Sequence, residues 1–248
     1  MPFTPMTGLE LPDDAATVWR YLDLWKFQRI LETSGLYFVR SDRFSDPCDS
    51  VLPPQWRDNM QQDMCGDGKY TEATWYEKRE IPANPIYCFN CEENESEHMW
   101  REYTNGTDAL VIRSTVGRLK ECFSSTPVEV RIGRVDYGYH DKLDEPQFVT
   151  TDWGDDEPAA NLKNPWYVPR YYFKRLKFAY EKEVRASIHV SQPIDSGYNL
   201  VIGSSGIYTL VESIHMHPSA TTSLREHLKS LLDQYGFRDI PLKSSTLR

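Results

Sequence analysis

The chain has no Gly-x-Gly-x-x-Gly, no Gly-x-x-x-x-Gly-Lys followed by Ser or Thr, and no Gly-x-Ser-x-Gly. Dinucleotide-fold, kinase, P-loop and serine-hydrolase chemistry would each need one of these backbone devices, so those readings lack their mechanical parts. No run of about eighteen apolar residues occurs, so no membrane-spanning helix is expected. The opening residues, Met1 to Gly8, lack the basic and apolar regions of a signal peptide. The five cysteines are odd in number and irregular in spacing, which fits free thiols and a cytoplasmic location. Acidic residues outnumber basic ones, 37 to 28. A net charge of −9 argues against broad nucleic-acid binding, which rests on neutralising phosphates, although a local basic cleft stays open.

Aromatic residues are plentiful, with seven Trp, fifteen Tyr and ten Phe. Large rings bury much surface each, so a sizeable core is feasible, and they also suit a pocket for a planar ligand. Residues 1–16 read as an N-terminal tail and 17–248 as one α+β domain with a mixed or antiparallel sheet and flanking helices. Strands are expected at Val18–Leu22, Leu36–Arg40, Pro85–Phe89, Ala109–Ile112, Val128–Tyr137, Glu183–Val190, Gly206–His215 and Ile240–Lys243. Helices are expected after Asp23, over 54–80, around Met99 to Tyr103, near 115–123, over Arg170–Phe178 and over 219–235. Residues 138–168, with three prolines and an acidic cluster, read as a long surface excursion.

The most chemistry-like stretch is Tyr180-Glu181-Lys182-Glu183-Val184-Arg185. On a strand, residues two apart share a face, so Glu181, Glu183 and Arg185 would project together. Adjacent carboxylates repel, which raises one pKa and suits acid/base or hydroxyl-polarising work, and Arg185 would offset this by pairing. The plainer alternative is a solvated strand face. Asp46 and Asp49 could hold a hard cation as in a nuclease, or simply build an Asp-Pro turn. Cys88 with Cys91, and His215 with His217, have spacings that a metal could use, but core packing explains each as well, and no metal is expected.

Arg20-Tyr21-Leu22, Leu36-Tyr37-Phe38, Phe44-Ser45-Asp46-Pro47, Cys88-Phe89, Met99-Trp100 with Tyr103, and the Tyr180–Arg185 stretch occur in that order. Together they resemble the mainly bacterial family known as domain of unknown function 2971, from about Val18 to Ser244. The chain departs from the usual family pattern at Ser45, Cys48, Asp49 and Asn90. The family resemblance implies a setting in phage defence or inter-microbial conflict.

The layout of an early Arg, a central aromatic and a late Glu-x-Glu is similar to that of ADP-ribosyltransferases, without the Ser-Thr-Ser motif of one branch. This second resemblance implies a split sheet and an enzyme that uses NAD. Glu183 would hold the ribose hydroxyl and Glu181 would face the acceptor. Arg20 would anchor the dinucleotide, Tyr103 or Trp100 would stack on nicotinamide, and Arg185 would complete the binding set. The alternatives are a non-catalytic sensing or interaction module and a metal-dependent nuclease. The enzyme reading requires Arg20 and Glu183 to share a face and, with Tyr103, to line one cleft. The acceptor, protein or nucleic acid, is not specified by the residues.

Overall fold

The computed structural model describes residues 3–6, 8–44, 46, 78, 81–137 and 170–247. The helix expected over 54–80, the excursion over 138–168 and Asp49 lie outside the described residues.

The chain builds a ten-stranded mixed sheet. Its main path begins with β1 (Phe3–Pro5), β6 (Val130–Arg134), β9 (Glu183–Ile188) and β4 (Ile86–Asn90). It continues through β2 (Thr17–Asp23), β5 (Ala109–Thr115), β11 (Ser213–Met216) and β12 (Leu242–Ser244). A branch leaves β4 through β3 (Gly35–Val39) to β10 (Gly197–Val201). A separate pair joins β7 (Asp136–Tyr137) to β8 (Phe173–Lys174). Residues 1–16 contribute more than a tail, because β1 adds to the sheet in parallel with β6.

One face of the sheet packs on α1 (Leu24–Thr33), α3 (Val116–Cys122), α4 (Gly203–Leu210) and α5 (Thr222–Gln234). The reasons are local. In α5, Leu224, Leu228, Leu231 and Leu232 recur at helical spacing and are buried, and the Thr221 hydroxyl caps the first turn by accepting from the Leu224 N–H. Gly236, at φ 81°, follows the helix in the left-handed conformation that a side chain resists. The opposite face carries α2 (Glu97–Tyr103), capped by Ser96, and the segment from Arg170 to Glu181. Trp19, Tyr21, Met99 and Trp100 form one cluster there, and Tyr171, Tyr172 and Phe173 pack with Ile86 and Cys88 in another.

Two expected elements differ. Residues 206–215 are not one strand, because Gly203–Leu210 is helical and burial of Ile207 and Leu210 against the core decides it. Residues 170–178 form two 3₁₀ turns around β8 rather than a helix. The structure adds β10, whose pairing demands a bare backbone at its start. A Cβ at Gly197 would stand 2.4 Å from the Phe38 carbonyl oxygen and 2.7 Å from the Tyr37 ring. Gly197→Ala is expected to cost about 1–3 kcal/mol, read as a lowered midpoint in denaturant melts.

The feature that positions the site is a parting of strands. β4 pairs with β9 along its length, but its other edge meets β2 at Trp19–Asn90 and β3 at Val39–Ile86. Between those two bridges β2 and β3 diverge. This is the split sheet that the ADP-ribosyltransferase layout implied.

Candidate active site

A narrow cleft opens where β2 leaves β4, and Trp19, Arg20, Cys88, Asn90, Tyr103 and Glu183 are among the residues that line it. Directly opposed residues in an antiparallel pair share a face. Glu183 opposes Asn90, which opposes Trp19, so these three side chains lie on the α2 face. Arg20 opposes Ile112 of the main core and is therefore on the other face by register. The expectation that Arg20 and Glu183 share a face is thus not met. Both nevertheless line the cleft, because the sheet is parted between them.

Arg20 is already engaged. Its Nη1 donates to the Cys88 carbonyl at 2.8 Å, and its guanidinium lies over the Tyr87 ring, 4.5 Å from the centroid. The guanidinium therefore spans the parting and serves a backbone carbonyl beside it.

Glu181 and Glu183 come together by a route other than the expected strand. Glu181 ends a 3₁₀ turn, and Lys182 takes a left-handed φ of 42° before β9 begins at Glu183. Both carboxylates are buried, and both approach the Lys174 ammonium. Glu181 pairs closely with it, and Glu183 Oε1 stands at 3.8 Å. The Tyr103 hydroxyl donates to Glu181 Oε1 at 2.7 Å, and Asn90 Nδ2 donates to the Glu181 carbonyl at 2.7 Å. Burial raises the Glu181 pKa, the nearby Glu183 charge adds to this, and Lys174 works against both. Burial and the two carboxylates likewise hold the Tyr103 phenol protonated, well above its ordinary range.

Arg185 is fully buried and clamps Glu183 Oε2 through Nε at 2.8 Å and Nη2 at 2.7 Å, while Nη1 donates to the Tyr171 carbonyl at 2.6 Å. The Glu183 N–H donates to the Tyr137 hydroxyl oxygen at 2.8 Å. One carboxylate oxygen is thus fixed from behind by two N–H donors of a planar guanidinium, as charge-assisted hydrogen bonds.

Several assignments change accordingly. Glu181 does not line the cleft, since Tyr103 and Lys174 occupy its carboxylate. Arg185 sits behind Glu183 rather than in the cleft. Trp100 is core. Its ring meets Tyr21 edge-on at 5.1 Å, and its indole N–H donates to Glu95. Tyr103, three residues on, is the α2 ring that reaches the cleft. Asp46 is paired with Arg175. Among the described residues, no three His, Cys, Asp or Glu side chains are grouped to hold a metal ion. Lys174 and Tyr137 escaped the sequence reading, since nothing in their neighbours' spacing marks them, and Asn90 was marked only as a departure from the family pattern.

Ser213, His215 and Glu95 also stand in hydrogen-bond series, at 3.1 Å from Ser213 Oγ to His215 Nε2 and 2.7 Å from His215 Nδ1 to Glu95. All three are buried and none lines the cleft, so this series holds the fold rather than meeting a substrate.

The family model described as protein of unknown function, DUF2971, matches residues 99–186, a span that holds Tyr103, Lys174, Glu181, Glu183 and Arg185. The resemblance read from the residues is therefore matched over that stretch. No curated protein matches the chain. Among solved structures, the chain is similar to Thermus sp. 2.9 DarT in complex with NAD+, at 12% identity over 95% of this chain and 97% of that chain, with a TM-score of 0.39. It is similar also to Thermus sp. 2.9 DarT in complex with ADP-ribosylated ssDNA, at 9% identity over 96% of each chain, again with a TM-score of 0.39.

Proposed function

We propose that the protein is an NAD-consuming enzyme of ADP-ribosyltransferase type, acting in the bacterial cytoplasm in phage defence or inter-microbial conflict. The observation that carries the chemistry is Glu183. It lines the cleft with Oε2 clamped by Arg185, and Oε1 is 3.8 Å from Lys174, beyond hydrogen-bond length. A carboxylate so held can accept a ribose hydroxyl through Oε1 without turning away.

In the reaction, the glycosidic carbon–nitrogen bond of NAD breaks and its electron pair leaves with nicotinamide. The acceptor's lone pair then bonds the ribose carbon and its proton is released. Positive charge develops on the ribose, and the fixed negative charge of Glu183 stabilises it in a site largely shielded from water. Arg185 and Lys174 are positioning residues that fix the direction of the Glu183 carboxylate. Tyr103 offers a ring edge at the cleft wall. Arg20 lies on the other face of the sheet from Glu183 and is engaged with Tyr87 and the Cys88 carbonyl, so the anchor role expected of it falls, the shared-face condition counts against the reading, and the reading rests on Glu183.

The test is nicotinamide release from NAD by the full chain. Glu183→Gln keeps the size and one acceptor but removes the charge, and it is expected to lower the rate about 100- to 1,000-fold. A parallel thermal melt checks that the variant is folded. Undiminished release by a folded Glu183→Gln chain would overturn the proposal.

One observation favours a second reading, a non-catalytic nucleotide-sensing module. Both carboxylates are already well paired within the protein, Glu181 by Lys174 and Tyr103 and Glu183 by Arg185. In that case a nucleotide would raise the melting temperature while no nicotinamide appeared.

A further inference from the structure

A strand at the margin of a sheet offers a row of unpaired N–H and C=O groups, and proteins guard such margins with lysine, proline or brevity. Two margins here are guarded in that way. β1 is three residues long and ends in Pro5, and β12 is three residues long with Lys243 at its centre. β10 is different. Among the described residues it pairs with β3 alone, and Gly197-Tyr198-Asn199-Leu200-Val201 holds no charge and no proline. At one end of that ladder the Arg40 N–H donates to the Ser196 carbonyl at 3.2 Å. At the other the Ile202 N–H donates to the Ser34 carbonyl at 3.0 Å. Alternate residues of an antiparallel strand turn both backbone groups to the same side. Tyr198 and Leu200 therefore bond β3, and Gly197, Asn199 and Val201 direct their N–H and C=O outward.

The side chains along this margin are apolar where they are exposed. Val201 is 56% exposed and Tyr37 is 46% exposed. Tyr37 opposes Asn199 in the register, so it shares a face with Gly197 and Val201. Its ring lies over bare Gly197, since a Cβ there would stand 2.7 Å from two ring carbons, and its hydroxyl meets Ser196 Oγ at 2.9 Å.

We infer that β10 is the seat of a two-fold dimer, in which two copies of this chain pair their β10 strands antiparallel about Asn199. The strand is complementary to itself in that register. Asn199 faces Asn199 of the second copy, and Gly197 faces Val201 of the second copy. Only outward-directed residues are matched, so all of their N–H and C=O groups are satisfied. Each exposed Val201 meets a Gly197 where the Tyr37 ring fills the place of the missing side chain. Charge matches one step further on, where residue 195 of one copy reaches residue 203 of the other at the start of α4. That helix has neither a side-chain cap nor an acidic residue in its first turn. Asp195 is exposed, and its carboxylate has no partner among the described residues. A carboxylate at a helix N-terminus is favourable. The two-fold axis makes every contact twice. A strand of another protein would use the backbone groups alone, without the doubled match of Val201 to Tyr37 and of Asp195 to α4.

The experiment is sedimentation velocity on the full chain over a concentration series. Five paired residues make a small interface, so a dissociation constant of about 10–100 µM is expected. Val201→Lys sets a charge on the margin and should raise that constant about tenfold or more, with the melting temperature unchanged. Asp195→Arg should raise it about three- to tenfold. Amide hydrogen exchange on wild type reads the register. Gly197, Asn199 and Val201 should gain protection as the concentration rises, whereas Tyr198 and Leu200 are protected throughout.

A chain that stays monomeric up to about 500 µM would overturn the second copy as the occupant of this edge. A dimer that Val201→Lys leaves intact, or that forms while the three outward amides still exchange freely, would overturn it as well. If Val201→Lys fails to fold, the exchange pattern of wild type still decides.

Discussion

Arg185→Met is expected to destabilise the protein by about 3–5 kcal/mol, one of the largest single-residue effects in the molecule. The guanidinium is fully buried and neutralises Glu183 through two hydrogen bonds, with a third to the Tyr171 carbonyl. Removing it leaves a buried carboxylate with Lys174 at 3.8 Å and takes a donor from the Tyr171 carbonyl. Losing one partner of a buried pair costs more than losing both, because the survivor keeps its desolvation penalty.

The same substitution in a Glu183→Gln background should therefore cost clearly less. Denaturant melts of wild type, the two single variants and the double variant would measure the coupling directly. If Arg185→Met costs the same in both backgrounds, the pair is not the coupled unit described above. The cycle also separates stability from chemistry, since Glu183→Gln alone removes the charge that the reaction needs and retains an acceptor for Arg185.

The second large effect concerns Glu95, whose carboxylate joins three separate parts of the chain. It accepts from His215 Nδ1 at 2.7 Å, from Trp100 Nε1 at 3.2 Å, from the Thr246 N–H at 3.1 Å, and from the Ser245 hydroxyl. Glu95→Ala unmakes all of these inside a buried cluster. It is expected to cost about 3 kcal/mol, which for a chain of this size lowers the melting temperature by about 6–12 °C.

A pH dependence accompanies it. Burial alone would raise the Glu95 pKa, but the bonds from His215, Ser245 and Thr246 outweigh it and hold the value below the ordinary carboxylate range. A depressed folded-state pKa contributes stability above the unfolded-state value and loses it as pH falls through the folded one. Wild type should therefore lose stability as the pH drops through and below the usual carboxylate range, and Glu95→Ala should lose less over the same interval. Parallel pH slopes for the two would show that Glu95 does not carry the linkage.

Much of the frame was legible because it obeys periodicities. The leucines of α5 present one buried side, the apolar runs of β2 and β5 are buried on both faces, and these expected elements fall where the structure has them. The stretch 206–215 misled because a short apolar run fits a strand or a buried helix equally well, and Gly203 to Gly206 conceal the helix start. Pairing of β10 with β3 was invisible, since nothing in Gly197–Val201 alternates strongly.

At the site, the nearness of Glu181 and Glu183 was readable, but its cause was not. Spacing suggests a shared strand face, whereas the left-handed Lys182 swings Glu181 out of the strand and Lys174 recaptures it. Helical spacing likewise groups Trp100 with Tyr103 without saying which ring the core will take. Trp100 is held by Tyr21 and Glu95, and that choice depends on residues far away in sequence. Asn90 was noticed only as a departure from a pattern, because its bond to the Glu181 carbonyl is a property of a surrounding and not of a letter.

The way β4 is shared has a mechanical meaning. A strand fully paired on both edges resists separation along its whole length, as a zipper does. Here one margin is fastened at its two ends, by Trp19 to Asn90 and by Val39 to Ile86, with the Arg20 guanidinium as a lateral brace to Cys88 between them. Opening the gap wider strains a few fastenings and leaves the β2–β5 and β3–β10 ladders intact. Across that margin the strands are joined by two bridges and one side-chain bond, so resistance to their separation is concentrated at three points rather than spread along a ladder.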